Sequence, residues 1–394
     1  MKKRQIIMAC LIAMACAAST TAMAQPKHHF DSKNPDVHDP VMAVGEDGRY
    51  YVFSTGMGIG VMSSQDLKTW REEKPVFQMP APPKRNRQGR FEPDEHWGEP
   101  QWAVDSIKGF HGHIWAPDIS YQNGLWHIYY SCSTFGKNGS AIGLATNRTL
   151  NPQSPDFKWE DQGAVVVSHK HQDNWNAIDP NLAPLPYADA RENDSQEGRH
   201  LFWGSFWDGI QMARLNADLH TLATKPVTVA RRTDHSLRLK DVDNPEAFTV
   251  EGGDTIEAGE NAIEAPFVIY NRGWYYLFVS WDYCCRGRNS TYKTVYGRSR
   301  NVEGPYLDKN GKDMAYGGGT LLVGPDDKYY GVGHCSAYSV PYPMPTSEHP
   351  DPARAARQWF FVSHAYDISQ KGQSKLFIRP LLFDADGWLS LGEL

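Results

Sequence analysis

The 394-residue chain has no apolar run long enough to cross a membrane comfortably. Its one such stretch, Ile6 to Ala18, falls short of the roughly 20 residues a spanning helix needs. Clustered basic charge is missing as well. Lys and Arg are dispersed and the formal net charge is −6, which argues against a nucleic-acid partner and for a neutral or weakly charged substrate. Beyond the N-terminal stretch a helical period is almost absent, which leaves an all-β reading. Cysteine is scarce too. Cys10 and Cys16 belong to the N-terminal stretch, leaving Cys132, Cys284, Cys285 and Cys335. Adjacent Cys284 and Cys285 do not bridge without backbone strain, so reduced, buried thiols account for the four as well as any one pairing does.

The N-terminus, Met1-Lys2-Lys3-Arg4 followed by the apolar stretch and Ala22-Met23-Ala24, reads as a secretory signal over 1–24. Cys16 after Ala13-Met14-Ala15 is a poor lipidation site. What remains, 25–394, is expected to be one exported domain, periplasmic or extracellular, without membrane insertion and monomeric. Aromatic residues abound, with 13 Trp, 19 Tyr and 16 Phe, a supply that suits sugar stacking and an all-β core equally.

Five segments open with related phrases: His38-Asp39-Pro40, Trp115-Ala116-Pro117-Asp118, Ile178-Asp179-Pro180, Ile263-Glu264-Ala265-Pro266 and Gly333-His334-Cys335. Their spacing is roughly 60 to 85 residues. Behind each comes a turn and an aromatic strand, such as Tyr50-Tyr51-Val52-Phe53-Ser54 or Trp274-Tyr275-Tyr276-Leu277-Phe278-Val279-Ser280. The turns before the first four carry Asp47-Gly48, Asn123-Gly124, Glu197-Gly198 and Arg272-Gly273, as hairpins require. A third strand follows, then a fourth expected to end near Trp70, Trp159, Tyr306 or Trp388. Five such units predict a five-bladed β-propeller whose opening phrases line one end of the axial channel. Two long connections, 79–113 and 231–261, belong to that end and are either walls of a cleft or solvated flaps.

The phrases bring Asp39, Asp118, Asp179, Glu264 and His334 toward one axis. Inverting glycoside hydrolysis needs a carboxylic acid for the leaving oxygen and a carboxylate to activate water, with a third carboxyl able to tune the acid. Relative to Pro the acids stand at different offsets, so periodicity does not say which point inward. For Asp118 a role as strand-start acceptor stands level with a functional one. His334, in the fifth equivalent position, is a candidate axial metal ligand.

These phrases, together with Phe135-Gly136-Lys137-Asn138, Asn176-Ala177-Ile178-Asp179-Pro180, Gly204-Ser205-Phe206-Trp207 and Cys284-Cys285-Arg286, resemble the endo-arabinanases of glycoside hydrolase family 43 from about His38 to Gly392. The resemblance implies cleavage of α-1,5-linked L-arabinofuranosyl chains with inversion, the partners being arabinan and arabino-oligosaccharides. It implies Asp39 as general base, Glu264 as general acid and Asp179 as the carboxyl that tunes and orients the acid. It carries over substrate contacts at Asp39, Phe135, Gly136, Asn176, Ala177, Ile178, Asp179, Ser205, Phe206 and Trp207, with Phe135 and Trp207 as sugar platforms. One axial metal ion, commonly calcium, is implied at His334, although a single imidazole with water is an odd calcium site. The stretch before Trp115 is longer than the family pattern, and by closing one end of the groove it would convert internal cleavage into release from a chain end. A β-xylosidase or α-L-arabinofuranosidase of the same family, and a propeller that binds glycan without cleaving it, are the competing readings.

Overall fold

The computed structural model describes residues 30–78, 100–170, 172–185, 199–234, 261–341 and 357–393, and the backbone of three short strands between 237 and 257. The expected signal segment, the 79–99 stretch and most of the 231–261 connection lie outside the described residues. Five antiparallel sheets follow one another along the chain as the blades of a five-bladed β-propeller. Blade 1 is Val41–Val44, Tyr50–Ser54, Gly60–Ser64 and Trp70–Glu73. Blade 2 is His113–Gln122, Leu125–Cys132, Ser140–Asn147 and Glu160–Ser168, with Gly56–Met57 added at its inner edge. Blade 3 is Asn181–Leu182, His200–Trp203, Ile210–Arg214 and Val227–Ala230. Blade 4 is Ile263–Asn271, Trp274–Trp281, Lys293–Ser299 and Thr320–Val323, and blade 5 is Tyr329–Pro341, Arg357–Asp367, Gln373–Phe383 and Leu389–Leu391.

The second strand of each blade lies between two sheet neighbours and is covered on both faces by adjacent blades, which is why it reads as a nearly unbroken aromatic run. Hydrophobic clusters span successive blade boundaries: Phe53 with Ile128 and Tyr130, Tyr129 with Leu201 and Trp203, Phe202 with Leu277, and Phe278 with Phe361 and Phe377. A fully buried ring such as Phe202 contributes roughly 1.5–3 kcal/mol. The hairpin turns at Asn123-Gly124 and Arg272-Gly273 place both residues at positive φ, the geometry that matches strand twist. The ring closes where residues 35–37 add to blade 5: Val37 N–H donates to Ser374 O at 3.2 Å and Leu376 N–H to Pro35 O at 3.1 Å. Two details differ from expectation. The fourth strands of blades 1, 2 and 5 begin at or just after Trp70, Trp159 and Trp388 rather than ending there, and Tyr306 precedes its strand as a buried residue. Cys284 and Cys285 form a disulfide, with the strain taken up as a left-handed φ of 63° at Cys285, while Cys132 and Cys335 are free and buried.

One distortion recurs in every blade. Asp39, Ala116, Asp179, Ala265 and His334 all have φ between 41° and 58°, and each directly precedes the Pro or Cys of its opening phrase. In blades 2, 4 and 5 the pairing register shifts there, between Trp115 and Asp118, Glu264 and Phe267, and Gly333 and Ser336. The N–H of each left-handed residue donates to a side chain of the preceding blade. Ala116 donates to Thr55 Oγ1 (2.8 Å), Asp179 to Ser131 Oγ (2.9 Å), Ala265 to Asp179 Oδ2 (3.1 Å), His334 to Ser280 Oγ (2.8 Å) and Asp39 to His364 Nδ1 (3.1 Å). Blade openings are thus tied in a circle at the end of the channel where the side chains gather.

Candidate active site

The left-handed residues show which opening positions are equivalent. Asp39, Asp179 and His334 share one place in their blades, Glu264 stands one residue earlier, and Asp118 two residues beyond Ala116. Asp118 is turned to blade 3, where it accepts from Asn181 Nδ2 (3.0 Å) and Leu182 N–H (2.8 Å). Burial pushes it up to about 6 against those two bonds. Through these bonds it ties blade 2 to blade 3.

Asp39 is buried and crowded by donors. Its Oδ1 meets His38 Nδ1 at 2.9 Å and His334 Nδ1 at 3.0 Å, and its Oδ2 accepts from Thr55 Oγ1 at 2.5 Å. Burial works to raise this carboxyl, but the charges and hydrogen bonds of His334 and His38 outweigh it and hold Asp39 well below the usual carboxylate range. His334 is the counterpart: burial works against its charge, yet Asp39 and Asp179 lift it to about 9. His364, fully buried, is pushed the other way by burial and by His38 and His334, against the pull of Asp39. Its Nδ1 accepts the Asp39 amide, so its hydrogen lies on Nε2, a buried atom with no protein partner.

Glu264 accepts from Tyr292 OH (2.7 Å) on Oε1 and from Ser205 Oγ (2.8 Å) on Oε2. Ser205 reaches it because the blade 3 turn, with Phe206 and Trp207 both left-handed, is strapped to blade 4 by Phe206 N–H donating to Ile263 O at 2.8 Å. Asp179 is raised well above the ordinary range by burial, with His334 opposing and the charges of Glu264 and Asp39 adding to the rise. Burial also pushes the Tyr292 phenol upward, so it remains a hydroxyl beside Glu264.

The other expected contacts divide. Phe135 is 77% exposed on a turn whose next residue, Gly136, has φ 73° with open space where a Cβ would stand. Asn176 is buried with its Oδ1 unpartnered, an acceptor of the kind a hydroxyl or water satisfies. Ala177 and Ile178 are buried, and Ile178 O accepts from Gly204 N–H at 2.8 Å. Phe206 is half-buried and meets Tyr283 at 5.9 Å between centroids. Trp207, expected as a platform, is only 6% exposed and offers little face to a sugar. Sequence reasoning missed Thr55, Tyr292, His364 and Tyr366 and gave His38 no role. Of these only Thr55 had a signal, as the counterpart of Ser131, Ser205 and Ser280 at the close of the other aromatic strands, each of which bonds to the next blade.

Donor chemistry bears on the expected metal. His38, Asp39 and His364 offer atoms within 4.8 Å of one another, but the His364 Nδ1 lone pair is engaged by an amide, and His38 Nδ1 is engaged with Asp39. His334 Nδ1 likewise faces Asp39, leaving only its Nε2 for an ion. Calcium takes six to eight oxygens. Among the described residues these groups do not make a calcium cage.

A buried carboxyl contacted by imidazoles and a second carboxyl held by two hydroxyls stand at the same end of a propeller, a set of groups that glycoside hydrolysis by a pair of acids could use. The comparisons agree. Residues 33–389 match the family described as Glycosyl hydrolases family 43, and the chain belongs to it. It is 38% identical over 92% of its length, and 88% of the relative, to the extracellular exo-alpha-(1→5)-L-arabinofuranosidase of Cellvibrio japonicus. It is 32% identical over 94% of its length, and 92% of the relative, to the extracellular endo-alpha-(1→5)-L-arabinanase 1 of Bacillus subtilis. Among solved structures, an exo-1,5-alpha-L-arabinanase from a bovine ruminal metagenomic library superposes with a TM-score of 0.73 at 48% identity, covering 93% of this chain and 99% of that one. The protein is therefore a family 43 glycoside hydrolase of the arabinanase and arabinofuranosidase kind.

Proposed function

We propose that this enzyme is exported and hydrolyses the α-1,5-L-arabinofuranosidic bonds of arabinan with inversion, acting as a monomer. Asp39 is the general base, Glu264 the general acid and Asp179 the carboxyl that orients and tunes the acid. The observation that carries this is the setting of Asp39: a buried carboxyl at the end of the channel, contacted by two imidazoles and a hydroxyl, is placed to take a proton from water. Glu264 gives its proton to the glycosidic oxygen as the bond to the anomeric carbon breaks, with Ser205 and Tyr292 holding it in place. Asp179 accepts the Ala265 N–H, which pins the backbone next to Glu264, and burial, with the charge of Glu264 adding to it, raises Asp179 well above the ordinary range. Phe135 supplies an exposed aromatic face for a furanose ring. No step is routed through a cation; an axial ion would take His334 Nε2 and complete its shell with water.

Attack from a chain end is the favoured mode, because relatives at 38% and 48% identity are named as exo-acting. The long stretch that would close the groove falls largely in 79–99, outside the described residues. The deciding experiment is the time course of products from linear α-1,5-arabinan, with Glu264→Ala alongside. One short product from the first minutes supports terminal attack, and a descending ladder supports internal attack. No product from the wild type overturns the arabinan reading and makes xylan and branched arabinan the next substrates.

A further inference from the structure

We propose that Tyr366 and the disulfide-closed loop Cys284–Cys285 are positioning elements for the general base: Cys285 N–H holds the Tyr366 hydroxyl, the hydroxyl holds His38 Nε2, and His38 Nδ1 holds the Asp39 carboxylate. The inference rests on the assignment of Asp39 as base. Each link is a hydrogen bond, at 2.7, 2.8 and 2.9 Å in turn. The links join three blades, since Cys285 lies in the turn after Trp274–Trp281, Tyr366 near the end of Arg357–Asp367, and His38 just ahead of blade 1.

The N–H that starts the relay belongs to the peptide bond between the two cysteines. That peptide lies inside the ring the disulfide closes. Ring closure limits the rotation of that peptide, and Cys285 stands at φ 63°, in the left-handed region that non-glycine residues seldom adopt. Because the Tyr366 oxygen accepts from Cys285, its own hydrogen is directed to His38 Nε2, which puts the His38 hydrogen on Nδ1 facing the carboxylate. His38 is confined on its remaining sides: its ring stacks on His364 at 3.9 Å between centroids, and Cys285 Sγ lies 3.9 Å from its Nε2. A base that must meet one face of a sugar needs this confinement, because sub-ångström misplacement costs rate.

The test compares the wild type, Tyr366→Phe, the Cys284→Ser/Cys285→Ser double variant and their combination on a defined arabino-oligosaccharide. Tyr366→Phe and the serine double variant should each lower kcat about 5- to 10-fold, the effect of one lost positioning bond, with KM within about twofold. The combination should be no slower than Tyr366→Phe alone, because both break one relay. A dithiol, which delivers two electrons and two protons to the S–S bond and itself becomes a cyclic disulfide, should slow the wild type and leave the serine variant unaffected. Additive losses overturn the proposal. So does a raised KM with kcat kept, which would make the loop a substrate contact. Nitrogen-15 NMR of labelled histidines decides the relay without turnover: the His38 ring should be the Nδ1–H tautomer in the wild type and shift in Tyr366→Phe. Unchanged His38 shifts overturn the relay; an intact relay in the wild type together with an Asp39→Asn variant that keeps its turnover overturns instead the assignment of the base on which it rests.

Discussion

Replacing Glu264 by Gln isolates the proton that the general acid donates. The change keeps the side chain's shape and both neighbours, Ser205 Oγ at 2.8 Å and Tyr292 OH at 2.7 Å. Each neighbour is a hydroxyl that can donate or accept, so the amide's oxygen and NH2 both find partners, and stability should change by no more than about 1 kcal/mol. What disappears is the transferable proton. General acid catalysis is worth about 100- to 10,000-fold, or roughly 3–5 kcal/mol of barrier. The loss should fall on natural arabinan, whose leaving group is an alkoxide. An aryl glycoside of an arabino-oligosaccharide with a dinitrophenolate leaving group needs no protonation, and on it Glu264→Gln should retain activity within about tenfold of wild type. The assay is kcat on the two substrates, with a urea midpoint to confirm the fold. Equal losses on both refute the acid assignment, as does a variant that stays fast on arabinan.

Three further outcomes follow from the site's charges. His334 is raised from 6.5 to about 9, so the stability it contributes is complete below pH 6.5 and lost as pH rises through about 9; in chelator this should amount to about 3 kcal/mol by urea unfolding, and be missing in His334→Gln. Asp179 is also raised, so its proton stabilises the fold at low pH and that gain vanishes as pH climbs through the raised value; Asp179→Asn should therefore have a higher Tm than wild type near neutral pH while losing most activity, and a lower Tm there would contradict the buried-charge account. The donor set around His334 is poor in oxygen, so millimolar calcium should move Tm by no more than about 1 °C, and a rise of several degrees would show a tighter site than these side chains form.

Much of the fold was legible because its signals are local. Aromatic strands separated by Asn-Gly and related turns specify hairpins within a few residues, and their fivefold recurrence gives the blade count. Less of the site was legible. Asp39 and Asp179 each directly precede Pro, but the different offsets of Asp118 and Glu264 hid which of those two points inward, because each blade opens on a left-handed residue that is not glycine. A bulge inserts one residue into the count and turns the next side chain to the other face. Glu264 thus reaches the site from one position before the bulge, whereas Asp118 turns to Asn181. Trp207 shows the converse: its phrase suggested a platform, but burial is decided by the neighbouring elements, which leave it 6% exposed.

The sequence by itself determined the class of fold and the number of blades, since strand period, turn chemistry and repeat length are read from neighbours along the chain. Only the tertiary structure decided the electrostatics of the site. Asp39 is held below the usual carboxylate range because the charges and hydrogen bonds of His334 and His38, which come from separate parts of the ring, outweigh its burial, and Glu264 is held by Ser205 and Tyr292 from different turns. The Cys285, Tyr366 and His38 contacts join residues up to 328 positions apart. Charge and hydrogen bonding act over a few ångströms of space, and no pattern along the chain encodes which distant residues will share those ångströms once the propeller closes.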